Sequence, residues 1–250
     1  MRTRFVVGLT FAFMALPSLA TTESKVDYSA ELIASYSEAD KRIQVDNKFS
    51  SFRAGGAGVR LEAEHEKYGM FYGSLGYGYS PNETASYSGS SLSGPAQSIF
   101  WGGGYRYYYD LNHRYKLSFT ADYITHDITG DISGEVRELP AIATVTSDMS
   151  MFDTMLALRY SFTRDVHMTI GAGVRKWDLQ ALAKGTIGGV IGATSEVSAN
   201  GKDPISYIGA EFKVKDVPVK VYYRRSQLEA DNSLIVHGLD IHILLSSLLD

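Results

Sequence analysis

Between Ile99 and Thr125, apolar and polar positions alternate with a period of two on both sides of a polar turn. From Ile99 to Tyr109 the odd positions are mostly large and apolar or aromatic, and the even ones include Gly102, Gly104 and Arg106. After Asp110-Leu111-Asn112-His113-Arg114 the pattern resumes. Tyr115, Leu117, Phe119, Ala121 and Tyr123 stand against Lys116, Ser118, Thr120 and Asp122. Successive side chains of a strand point to opposite faces, so the stretch predicts a β-hairpin with one apolar face and one small or charged face.

Which face is buried decides the class. A soluble barrel turns its apolar face inward, whereas a membrane barrel turns it outward against lipid. Arg106, Lys116 and Asp122 sit at mid-strand among glycines, which suits a crowded, hydrogen-bonded lumen better than a wet surface. Tyr105, Tyr107, Tyr109 and Tyr115 cluster near the turn on the apolar face, and Trp101 and Tyr123 lie toward the far end. Rings at both ends of an apolar band are the interfacial girdles of a transmembrane barrel.

The same alternation recurs along the chain. It predicts strands over Tyr28–Tyr36, Gly55–Glu64, Phe71–Tyr79, the hairpin pair above, Phe152–Phe162, Val166–Arg175, Tyr207–Val214, Val217–Ser226 and Gly238–Leu245. Short turns fall at Glu66-Lys67, Asp110–Arg114, Thr163-Arg164-Asp165 and Lys215-Asp216. Loops are expected over Ser37–Lys48, Ser80–Ala96, Ile128–Asp148, Lys184–Gly201 and, more briefly, Glu229–Ser233. The expectation is an all-β, antiparallel up-and-down transmembrane β-barrel of about ten strands, with 8 or 12 as alternatives. Long and short connections alternate, as extracellular loops and periplasmic turns do, which puts both termini in the periplasm. Closure of the last strand on the first removes the edges that lipid would not tolerate. The long loops are expected to be surface-exposed and to carry recognition. In one of them Val136, Leu139, Ile142 and Val145 are spaced so as to extend the wall above the membrane.

A chain of 250 residues accommodates one such barrel, and no long apolar run follows the N-terminus, which excludes a helical bundle. With no cysteine there are no disulfides, and a net charge of -4 gives no reason to expect nucleic acid as a partner. Arg2 and Arg4 precede an apolar stretch from Phe5 to Leu16 and a small-residue site, Pro17-Ser18-Leu19-Ala20. This reads as a signal peptide over 1–20, leaving 21–250 as a single barrel domain.

On the signal peptide, the alternating strands such as Tyr115–Tyr123 and the loop pattern, the chain resembles the small outer-membrane barrels of Gram-negative bacteria. These are the OmpA/OmpX-type and opacity-type proteins and, by strand count, the omptins. It departs from them at Leu248-Leu249-Asp250, where such barrels usually end in an aromatic residue. The resemblance implies the bacterial outer membrane as location. It implies outer-membrane lipid and lipopolysaccharide, the barrel assembly machinery and an extracellular ligand at the loops as partners.

The predicted lumen charges are Glu31, Arg60, Glu62, Glu64, Arg106, Lys116, Asp122, Asp153, Arg159, Arg175, Glu211, Lys213, Lys220, Arg224 and Asp240. They nearly balance in sign. Buried charges must be paired or bear a desolvation cost of several kcal/mol, so an internal salt-bridge lattice and a largely plugged barrel with a structural or surface-interaction role are expected. The alternatives are a small porin-like diffusion channel and a barrel enzyme, either an omptin-like protease or a lipid A-modifying enzyme. For catalysis the weak candidates are Asp240 with His242, on one face at i and i+2 and similar to the Asp-x-His half of the omptin site, and His126 with Thr125 and Asp127. Adjacent strand residues face opposite ways, which separates His126 from Asp127. No second acidic pair is evident, and no cofactor or metal is expected.

Overall fold

The computed structural model describes residues 26–39, 43–45, 48–51, 53–87, 90–230 and 232–245. The expected signal peptide and the Leu248-Leu249-Asp250 terminus lie outside them. The described strands are β1 (Val26–Ala39), β2 (Ile43–Val45), β3 (Lys48–Ser51), β4 (Arg53–His65), β5 (Gly69–Tyr87), β6 (Ser90–Asp110), β7 (Tyr115–Val136), β8 (Leu139–Ser161), β9 (His167–Ile187), β10 (Ile191–Val214), β11 (Val217–Ala230) and β12 (Asn232–Leu244). Strands β1 and β4 to β12 form a ring of ten antiparallel neighbours, closed where β12 pairs with β1 from Glu31↔Leu244 to Ala39↔Val236. The short β2–β3 hairpin is attached through β3 to the end of β5.

The two faces of this ring are inverted relative to a soluble protein. Leu75, Leu117, Phe119, Leu156, Ile170 and Ile208 are exposed, while Glu31, Glu62, Asp153, Arg175, Asp240 and His242 are buried. The alternation therefore resolves with the apolar face outward, and a lipocalin-like barrel, which needs Leu117 and Phe119 inside, is excluded. Two bands of rings stand on the outer face. One holds the contacts Phe71–Tyr105, Tyr115–Tyr160 and Tyr160–Phe162, and the other the Trp101–Tyr123 contact.

Outward residues in register trace a slanted row: Arg53, Glu38, His237, Arg225, Ser206, Ala172, Leu156, Phe119, Tyr107. It starts at the first residue of β4, on the side of the long hairpins, and ends near the short turn after β6. That slant is the strand tilt that closing a sheet requires.

Three long expected loops are strand instead, and in the shorter Glu229–Ser233 the described residues pair as the ends of β11 and β12. Ser80–Ala96, Ile128–Asp148 and Lys184–Gly201 continue β5–β6, β7–β8 and β9–β10 as paired hairpins well beyond the aromatic band. Their small and hydroxyl side chains read as loop composition, but a ladder needs only backbone pairing, and adjacent strands supply it, on both sides for β7, β8 and β9. The β7–β8 hairpin reverses in two residues, Arg137 and Glu138, at φ 50 and 67; Lys215-Asp216 does the same at φ 50 and 70. Both match two-residue turns with two positive φ angles, whose twist suits a hairpin. The β9–β10 hairpin uses Gly188 and Gly189, also at positive φ. Beyond Ile205, the outer half of β10 pairs with β9 but, among the described residues, not with β11.

Candidate functional site: the barrel lumen

The inward parity of each strand delivers polar groups to one axis. Near the closing seam, β1 contributes Glu31, which accepts hydrogen bonds from Lys220 of β11 and shares a 2.9 Å contact with His242 Nδ1 of β12. Glu62 of β4 lies 3.9 Å from Lys220 Nζ and accepts from the Ser29 hydroxyl at 3.2 Å. Arg224 donates to Asp240 at 2.9 Å through Nη2 and approaches it at 2.6 Å through Nε. Across the barrel, Arg175 grips Asp153 in a two-pronged pair of 2.8 and 2.7 Å, and Arg159 donates to Glu211 at 2.7 Å. Arg60 donates to Ser74 and lies 4.5 Å over the Tyr72 ring; Arg106 donates to Thr120 and Tyr108. Asp122 faces the positive charges of Arg60, Arg224 and Arg106 together.

Not every expected lumen charge belongs to this lattice. Lys116 is a half-exposed partner of exposed Asp110 at 3.1 Å beside a short turn, and Lys213 is an exposed partner of Asp165 at 2.8 Å. Both lie on strand ends, where inward parity no longer means burial. The Lys213 ammonium holds the Asp165 carboxyl below its ordinary value by hydrogen bonding. Glu64, near the inner end of β4, is exposed as well.

Sequence reasoning underweighted the tyrosines. Tyr72, Tyr207 and Tyr222 share inward parity with the charges and fill the space between them. Each ring lies over a glycine of an adjacent strand: Tyr72 over Gly104, Tyr207 over Gly171 and Tyr222 over Gly209. A Cβ at Gly171 would stand 2.4 Å from the Tyr207 ring, and one at Gly209 would stand 2.4 Å from Tyr222. These three glycines are therefore seats for aromatic rings, whereas Gly102 and Gly173 face the backbone of a neighbouring strand. Trp177 packs likewise over Gly201 and donates from Nε1 to buried Asp203. The signal was present as aromatic residues at the parity of Arg and Glu.

What remains open between Arg106, Tyr108, Ser118, Arg159, Thr169, Tyr207, Glu211 and Tyr222 is a cavity of about 10 Å³, at the lower limit for a single water.

The catalytic candidates are engaged differently from an acid–base pair. Asp240 belongs to Arg224, and His242 turns to Glu31 and packs edge-on to Tyr222. His126 packs at a tilt against Phe100, 5.7 Å between ring centres, inside the lumen, while Thr125 donates its hydroxyl to the Met149 carbonyl. Thr125, His126 and Asp127 are not assembled into a site.

No protein-family model and no curated protein sequence matches the chain. Solved structures do. The translocator domain of the autotransporter NalP from Neisseria meningitidis superposes with a TM-score of 0.52 at 12% identity, covering 96% of this chain and 95% of that one. The chain has the fold of an outer-membrane β-barrel. The outer-membrane protease OmpT from Escherichia coli is similar at a TM-score of 0.46 and 9% identity, over 90% of this chain and 95% of that one. Ail, the attachment invasion locus protein of Yersinia pestis, gives 0.39 and 9%, over 87% and 95%.

Proposed function

We propose that the protein is an integral outer-membrane barrel that does not conduct, with a lumen closed by its own ion pairs and tall hairpins that meet partners outside the cell. The observation that carries this reading is the filled cross-section around Arg106, Arg159, Tyr207 and Tyr222, with its cavity of about 10 Å³. A hydrated ion needs a continuous aqueous path, and at this level the Arg159–Glu211 pair with the Tyr222 hydroxyl on Glu211 stands in its way. In this reading both termini lie in the periplasm, outer-membrane lipid and lipopolysaccharide surround the wall, and the assembly machinery inserts it. The outward display is supported by exposed apolar side chains on the hairpins: Ile142 on β8, Val190 at 87% exposure in the β9–β10 turn, and Ile191 beside it. Apolar groups presented to water beyond the lipid band suit a contact surface.

The test is conductance of the purified barrel in planar bilayers. Silence across a wide voltage range is expected, with heat-modifiable migration on gels confirming a closed barrel. Stepwise openings would establish the diffusion channel instead.

A further inference from the structure

We propose that the outer wall of β8 to β11 holds one phosphorylated lipid of the outer leaflet, with an acyl chain in a groove over Ala172 and Ser206 and its phosphate at Arg225, Lys176 and Lys202. The proposal rests on the reading of the chain as an outer-membrane barrel.

A groove of about 550 Å³ runs over this wall. Its lower side is a row of large outward side chains in register: Leu117, Leu158, Ile170, Ile208 and Tyr223. Its floor lies along the adjacent row, where Ala172 and Ser206 are small and directly paired. The row ends at Leu156 on β8 and at Arg225 on β11. Three inter-strand spacings separate those ends, roughly 14 Å, enough for much of an acyl chain. The slant of the register rows carries the groove upward from Leu156 to Arg225, so the apolar end lies toward mid-membrane and the cation toward the aromatic band on the hairpin side.

The cations are placed as an anion site requires. Lys176 and Lys202 are direct register partners on the outer face, four residues toward the hairpins from the Ala172–Ser206 pair. Both are exposed. Like charges directly opposite one another on a sheet repel, and an anion between them removes that cost. Among the described residues none of Lys176, Lys202 and Arg225 forms an ion pair. Asp178, two residues above Lys176, accepts a hydrogen bond from Gln180 at 3.5 Å. Elsewhere on this outer row the arginine is neutralised, since Arg53 pairs with Glu38 at 2.7 Å. A plain lipid-facing wall calls for neither a floor of small residues with an unpaired arginine at its upper end nor an unpaired lysine pair about 13 Å above that floor.

The experiment is native mass spectrometry of the full-length mature barrel, released from neutral detergent with diphosphoryl lipid A, phosphatidylethanolamine or inorganic phosphate. A one-to-one lipid A adduct is expected. Arg225→Gln should weaken it about fivefold, and the triple variant with Lys176→Gln and Lys202→Gln on the order of a hundredfold, from the attraction of single cations to anionic lipid. Ala172→Trp should weaken it with every cation intact, and inorganic phosphate should not displace it. Equal retention by the triple variant, or by Ala172→Trp, would overturn the proposal, as would full displacement by phosphate. Heat-modifiability and outer-membrane fractionation of the same variants report separately on the barrel reading, which stands or falls without the lipid.

Discussion

Arg175 and Asp153 show how the lumen is stabilised one pair at a time. Both are buried, and the guanidinium fork is matched by both carboxylate oxygens. A pair of this kind contributes little net stability, because desolvation offsets most of the attraction, but an orphaned partner is costly. Arg175→Ala or Asp153→Ala should each destabilise the barrel by about 3–5 kcal/mol, while replacing both by apolar residues of similar volume should be close to neutral. Urea unfolding in detergent, followed by tryptophan fluorescence, measures this. Additive losses in the double variant would mean that the two charges act independently.

A strand is the unit on which facing is decided. On β7, Phe119 points outward and its neighbours Ser118 and Thr120 are buried inside. On its own strand it lies between Tyr115 of one band of rings and Tyr123 of the other, and its register partner Leu156 is exposed on the same outer row, so its level is within the apolar layer. Phe119→Arg should therefore cost about 2–4 kcal/mol in bilayer refolding titrations, with Phe119→Leu far milder. Indifference to the arginine would place β7 outside lipid. Strand ends obey the alternation less strictly, which is why Lys116 and Lys213 share the parity of the lumen charges yet pair with exposed Asp110 and Asp165.

For the whole molecule, the consequence of hairpins in place of loops is resistance. Paired strands present few extended, unbonded segments to a protease, so shaving of intact cells should cut at the tips, near Arg137-Glu138 and Gly188–Val190. The long flanks between should survive, and a membrane-embedded core should remain. Cleavage at Asn112 or Arg164, identified by mass spectrometry of the released peptides, would show the barrel inserted the other way round.

Much of this was legible in the sequence because a membrane barrel writes its architecture into alternate residues. The run from Tyr115 to Tyr123, the reversal at Lys215-Asp216 and the parity of Glu31, Arg175 and Asp240 each depend only on local strand geometry. Three-dimensional closure decided the rest. Glu31 meets His242 only because the first and last strands join, a contact that no period can encode. Ser80–Ala96 and Lys184–Gly201 became strand because neighbouring hairpins completed their ladders, whatever their side chains preferred. Gly171 of β9 and Gly209 of β10 acquired a purpose only when Tyr207 and Tyr222 arrived from adjacent strands. The groove from Leu156 to Arg225 likewise exists only through the register of four separate strands, whose side chains meet along the tilt of the barrel and are far apart along the chain.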